Sequence, residues 1–132
     1  MLKNLIERTL KKPRKLFLYD GFGALLSSFL LGCILTEFEN IFGIPKPTLY
    51  LLALIPIFFV LYDAFFYFKK NTNISYRLKG IAILNFSYCI ISIFYAFFHI
   101  ESITFLGWLY IFIEIIIVSL LAIFELIIAK RI

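Results

Sequence analysis

Apolar residues fall in four long blocks, at 16–36, 48–68, 80–98 and 105–129, with short polar segments between them. A helix needs about 20 residues to cross a hydrocarbon core, and each block supplies about that many. Backbone groups in lipid must find their hydrogen bonds within the protein, so a spanning block is either a helix or a strand of a closed barrel. None of the four blocks alternates apolar and polar positions as a barrel strand would. The pattern therefore predicts an all-α polytopic membrane protein, a four-transmembrane-helix antiparallel bundle forming one domain over 1–132. Ahead of it, Leu2, Leu5, Ile6 and Leu10 share one helical face with the charges opposite. Residues 1–13 thus read as a short amphipathic interfacial helix, broken at Pro13.

Composition sharpens this. Of 132 residues, 63% are hydrophobic, 20% aromatic and 16% charged, against about 45–50% apolar and about 25% charged in an ordinary soluble domain. A small domain buries proportionately little of its surface and could not hide so much apolar area in water. Soluble, disordered and nucleic-acid-binding classes are excluded, although the net charge is +5.

The placement of that charge gives an orientation. Lys3, Arg8, Lys11, Lys12, Arg14 and Lys15 precede the first block, Lys69, Lys70, Arg77 and Lys79 separate the second from the third, and Lys130 and Arg131 follow the fourth. Twelve of the 13 basic residues fall on one side, with only Lys46 on the other. By the positive-inside rule that side is cytoplasmic, and both termini lie there. The six N-terminal cations are also candidates for holding anionic lipid headgroups. On the other side, Gly43, Pro45 and Pro47 are expected to stop and turn the chain. The short segment from His99 to Thr104 makes the third and fourth spans antiparallel neighbours.

Ile, Phe, Asn and Lys are abundant and Ala, Gly, Arg and Pro sparse, as AT-rich coding produces. That composition suggests the inner membrane of a bacterium. The stretches LFLYDGFGALLSSFLLG (16–32), IFGIPKPTLYLLA (41–53), LKGIAILN (78–85) and ITFLGWLYIFIEI (103–115) resemble those of uncharacterised small four-span bacterial inner-membrane proteins. The resemblance covers nearly the whole chain and implies a fold but no activity.

Ionisable groups inside spans are costly and face the bundle interior or a cavity. Here each block carries a polar residue at one depth: Asp20, Asp63, Asn85 and Glu125 each lie four or five residues from the basic end of their block. At about 1.5 Å per residue that is roughly 6–8 Å below the boundary. Asn85, Cys89, Ser92, Ala96 and His99 make a small polar stripe on the third helix; Gly107, Tyr110, Glu114, Val118, Leu121 and Glu125 make one on the fourth. Asp63 shares a face with Pro56, which should kink its helix. On the first helix Asp20, Gly23 and Ser27 share a face beside Ala24, Ser28 and Gly32, whose small side chains suit close helix contact. Nearer the other side, depth alone suggests that Glu114 meets His99, through Tyr95, Tyr110 or water.

The layer has two readings. As helix glue, such side chains hydrogen-bond across helices at about 0.6 kcal/mol each. As a functional site, they form an acidic pocket for protons or a small cation, because neighbouring buried carboxylates cannot all be ionised. Other chemistry finds no support. Cys33 and Cys89 form no Cys-x-x-Cys pair, a single histidine serves neither di-haem nor metal sites, and no Ser–His dyad or intramembrane Lys offers a nucleophile. No cofactor is expected and the protein reads as non-enzymatic. The sequence favours an accessory, scaffolding or ligand-binding membrane protein whose partners are membrane lipids, other membrane proteins or copies of itself. A proton- or cation-linked oligomeric transporter or channel is the first alternative, and a lipid-binding protein the second.

Overall fold

The computed structural model describes residues 2–69 and 73–132. Lys70, counted above among the cations, and Met1, at the start of the amphipathic stretch, lie outside them. Four helices are long and apolar enough to cross a membrane: span 1 (Lys15–Glu37), span 2 (Lys46–Phe68), span 3 (Ile74–Phe98) and span 4 (Phe105–Arg131). At about 1.5 Å per residue they measure roughly 35–40 Å, somewhat more than the ~30 Å hydrocarbon core. There is no strand among the described residues. The chain is an all-α four-span bundle.

Side-chain placement fits a lipid environment. Phe22, Phe58, Phe94, Phe98, Phe105 and Phe112 are exposed around the outside, while Leu16, Phe17, Leu49, Leu52, Ile81 and Ile128 fill the interior. An aqueous protein of this size could not leave such a belt of rings uncovered.

Spans 1 and 2 pack along each other, as do spans 3 and 4, whereas contact between the two hairpins is sparser. The first pair is drawn close by the small face foreseen on span 1. A Cβ placed on Gly32 would lie 3.3 Å from the Ala53 Cβ, and Ser28 Oγ donates to the Ala53 carbonyl at 2.8 Å. Around this contact, at Leu30–Ile34, span 1 widens into one π-helical turn, a feature that inserts an extra residue per turn and often marks a functional segment.

The far ends of the hairpins, opposite the termini, are tied together by backbone. A short helix, Glu39–Phe42, ends at Gly43, whose φ of 74° is left-handed. A Cβ there would strike the Ser102 carbonyl oxygen, and one on Gly107 would strike that of Phe42. Thr104 N donates to the Phe42 carbonyl at 3.1 Å and Ser102 Oγ to that of Gly43 at 2.9 Å. At the opposite, basic end the N-terminal helix Leu2–Lys11 buries Ile6 against the bundle. It stops before Pro13, as the sequence implies.

Two boundaries differ from hydropathy. Span 3 begins at Ile74 rather than near Gly80, with the Asn73 side chain capping it by accepting from Tyr76 N at 3.2 Å. Arg77 and Lys79 consequently sit on helix, not in a loop. Hydropathy locates the edge of the apolar zone, but a capped helix continues past it into water. Pro47 does not stop the chain either; it lies in the first turn of span 2, where its missing N–H costs nothing.

Candidate functional site

Asp20, Asp63, Asn85 and Glu125, one from each span, are 2%, 1%, 5% and 0% exposed. The structure brings them together as the sequence spacing predicts. Asn85 Nδ2 donates to Asp20 Oδ1 at 2.7 Å and to Glu125 Oε1 at 3.1 Å, so one amide joins spans 1, 3 and 4. Asp63 completes the group from span 2, its carboxyl facing that of Asp20. It lies close to span 1 at Gly21, where a Cβ would be in ordinary contact with the Asp63 Cβ at 3.5 Å. Glu125 also faces Asp20, which makes Asp20 the centre of the layer.

The three carboxyls have six oxygens, and Asn85 supplies hydrogens to two. The remaining four, Asp20 Oδ2, both oxygens of Asp63 and Glu125 Oε2, are buried without a hydrogen-bond partner. The sequence has no Lys or Arg at 16–45, 47–68 or 80–129, and the basic residues the spans do carry, Lys15, Lys46, Arg77, Lys79, Lys130 and Arg131, sit near their ends. A buried charge without a partner costs several kcal/mol. An oxygen faced by another oxygen needs a hydrogen or a cation between them, and a protonated carboxyl is itself a donor. Among the described residues no set of three His, Cys, Asp or Glu side chains is arranged to hold a metal ion.

A second acidic site lies toward the far end. Glu114 accepts from Ser27 Oγ at 2.6 Å and Tyr110 OH at 2.9 Å on one oxygen, and from Tyr88 OH at 2.9 Å on the other. Span 1, span 3 and span 4 itself contribute these donors, and Phe59 of span 2 stacks edge-on against Tyr88 at 6.2 Å. The suggested pairing of Glu114 with His99 is corrected here. His99 Nε2 lies 2.7 Å from Thr48 Oγ1 at the mouth between spans 2 and 3, while Glu114 lies nine residues below the top of span 4, about 14 Å of rise. Tyr110, on the polar stripe of the fourth helix, turns its hydroxyl inward to Glu114. Trp108 packs on Phe97 at 5.4 Å.

Tyr88 and Thr48 went unremarked in the sequence. Tyr88 carried a usable signal: a tyrosine in mid-span, far from both interfaces where such rings gather, must aim its hydroxyl at an acceptor. Thr48 carried none, because a hydroxyl in a first helical turn ordinarily has only local work to do.

Cavities lie beside these groups. One of about 70 Å³ lies between the two acidic sites, with Asp20 and Asn85 at one end and Ser27 and Tyr88 at the other. A cleft of about 230 Å³ between spans 1 and 4 reaches Ser27, Tyr110 and Glu114 from the side. A groove of about 150 Å³ between spans 1 and 2 reaches Asp63. At the basic end, Lys11, Lys12, Arg14 and Lys15 surround a recess of about 540 Å³; Lys3 and Arg8, on the N-terminal helix, are not among its lining residues. Arg14 spends its guanidinium on the carbonyls of Tyr67 and Lys69, both at 2.6 Å, closing the C-terminal end of span 2. Tyr67 and Phe68 border both this recess and the groove to Asp63.

Neither a protein-family model, nor a curated protein, nor a solved structure matches the chain. Function is accordingly argued from the site and not from kinship.

Proposed function

We propose that this protein binds protons within the membrane through Asp20, Asp63 and Glu125, as a binding protein and not as an enzyme. The observation that carries this reading is the count of oxygens and hydrogens: four buried carboxyl oxygens without a partner, in helices whose stretches 16–45, 47–68 and 80–129 hold no basic side chain. Protons supply what the side chains lack. On this reading the basic end faces the cytoplasm, as the positive-inside rule directs, and the composition suits a bacterial inner membrane. Asp63 is then the group closest to supply, since the groove that reaches it borders the basic recess.

The accessory or scaffolding role is the rival. Its motive, a ring-rich exterior, is what any span offers to acyl chains, whereas a layer of acids without counter-charge is rare in lipid because it is costly. Lipid-headgroup binding at Lys11, Lys12 and Lys15 remains compatible with either.

Infrared difference spectroscopy of the purified protein, read at the C=O stretch of protonated carboxyls, tests the proposal. The wild type is expected to show buried protonated carboxyl that shrinks stepwise in Asp63→Asn and Glu125→Gln. A spectrum in which neither substitution removes such a band overturns it.

A further inference from the structure

We infer that the cavity of about 70 Å³ between the two acidic sites holds water that joins them, so that the protein conducts protons from the inner carboxyls to Glu114. This extends the proton-binding reading and rests on it.

Three observations point the same way. The first is room. A cavity needs only about 10–15 Å³ of water-accessible volume to take one water, whose share of the liquid is about 30 Å³, so about 70 Å³ accommodates two. The second is polarity at both ends. Asp20 and Asn85, 2% and 5% exposed, line one end. Ser27 and Tyr88 line the other, and both already donate their hydrogens to Glu114. Their oxygens keep lone pairs free to accept from water, which is the direction a relay toward Glu114 requires. The third is span. Asp20 and Ser27 lie on one face of span 1, seven residues apart, or about 10 Å of rise. Two waters and the reach of the side chains bridge that interval.

The transfer balances at each step. The O–H bond of a protonated inner carboxyl breaks as its proton joins a cavity water. That water passes one of its own protons to the oxygen of Tyr88, whose original hydroxyl hydrogen moves onto Glu114 Oε1, the oxygen Tyr88 alone serves. The hydroxyl and the waters then turn back, and the net change is one proton moved from the inner layer to Glu114. The groove at Asp63, which shares Tyr67 and Phe68 with the basic recess, is the opening nearest the inner end of this path, and the mostly apolar cleft between spans 1 and 4 is the one nearest Glu114.

The test uses the full chain in phosphatidylethanolamine–phosphatidylglycerol vesicles with a trapped pH dye and a potassium diffusion potential. The wild type is expected to pass protons. Tyr88→Phe keeps the ring but loses the relayed hydrogen, and Val118→Phe fills the cavity; each is expected to slow flux about tenfold or more. Ser87→Ala, on the exposed side of span 3, is expected to leave it unchanged. Thermal unfolding of each variant confirms that it is folded, and the infrared carboxyl band is recorded on the same samples. A band without wild-type flux, or flux that survives both Tyr88→Phe and Val118→Phe in folded protein, overturns the conduction path and leaves proton binding standing. Loss of the band's dependence on Asp63 and Glu125 would instead overturn the binding reading beneath it.

Discussion

Two acidic sites lie in one bundle, both nearly sealed, and they solve the same problem in opposite ways. Glu114 has two oxygens and three hydroxyl donors, drawn from three different residues. The Asp20–Asp63–Glu125 layer has six oxygens and one amide. Burial does not separate them, since Glu114 is 8% exposed and the inner acids 0–2%. What separates them is the supply of hydrogen. A donor-rich carboxyl is complete as it stands, whereas a donor-poor group must import protons to be stable. The difference teaches that an intramembrane acid is better characterised by what faces its oxygens than by its depth.

The comparison is broken most severely by Asn85→Leu, which removes the only donors of the inner layer among the described residues. Each orphaned buried group costs about 1–3 kcal/mol, so a loss of about 3 kcal/mol is expected in reversible unfolding in mixed micelles. A change below ~1 kcal/mol would mean that the amide is dispensable. Glu114→Leu comes next, leaving Ser27, Tyr88 and Tyr110 without their shared acceptor; about 2 kcal/mol is expected because hydroxyls can rotate toward backbone carbonyls. Tyr110→Phe removes one of three donors and should cost only about 0.6 kcal/mol, typical of a single hydrogen bond between membrane helices; a cost as large as that of Glu114→Leu would show that Tyr110, and not the set, holds the site.

Asp63→Asn sharpens the contrast from the other side. It replaces an acceptor-only group by one that brings its own hydrogens to face Asp20. Stability is expected to hold or to rise by about 0.5 kcal/mol, while the infrared signature of a bound proton declines. The matching change at the donor-rich site, Glu114→Gln, places an amide hydrogen against hydroxyls that already donate, and it should destabilise. If both amides act alike on the midpoint of unfolding, the supply of hydrogen is not what distinguishes the sites.

Much of this was readable before any coordinates. Four spans follow from block length, and the inner layer from equal depth, because a helix converts residue count into height with little freedom. The faces were legible as well: Asn85, Cys89, Ser92 and Ala96 are buried in one stripe as their spacing implies. What failed was a pairing across helices, which periodicity does not supply. His99 sits at the mouth and finds Thr48 on span 2, while Glu114 lies about 14 Å lower on span 4. The start of span 3 was missed because Arg77 and Lys79 read as loop, although Asn73 is a cap in the ordinary sense. The π-helical turn at Leu30–Ile34, where Gly32 lies against Ala53, has no compositional mark at all.

The division of the layer between hairpins bears on how the protein is made. Asp20 and Asp63 belong to spans 1 and 2, but the amide that serves Asp20 arrives with span 3, and Glu125 later still. A ribosome releases these segments in order, so the first hairpin enters lipid carrying two acids and no donor of its own. It cannot be a finished part awaiting an addition, since its completion is encoded some twenty residues downstream of Asp63. Chains interrupted between Phe68 and Asn85 should be recognised as unassembled and degraded, and a separately expressed second hairpin should rescue them.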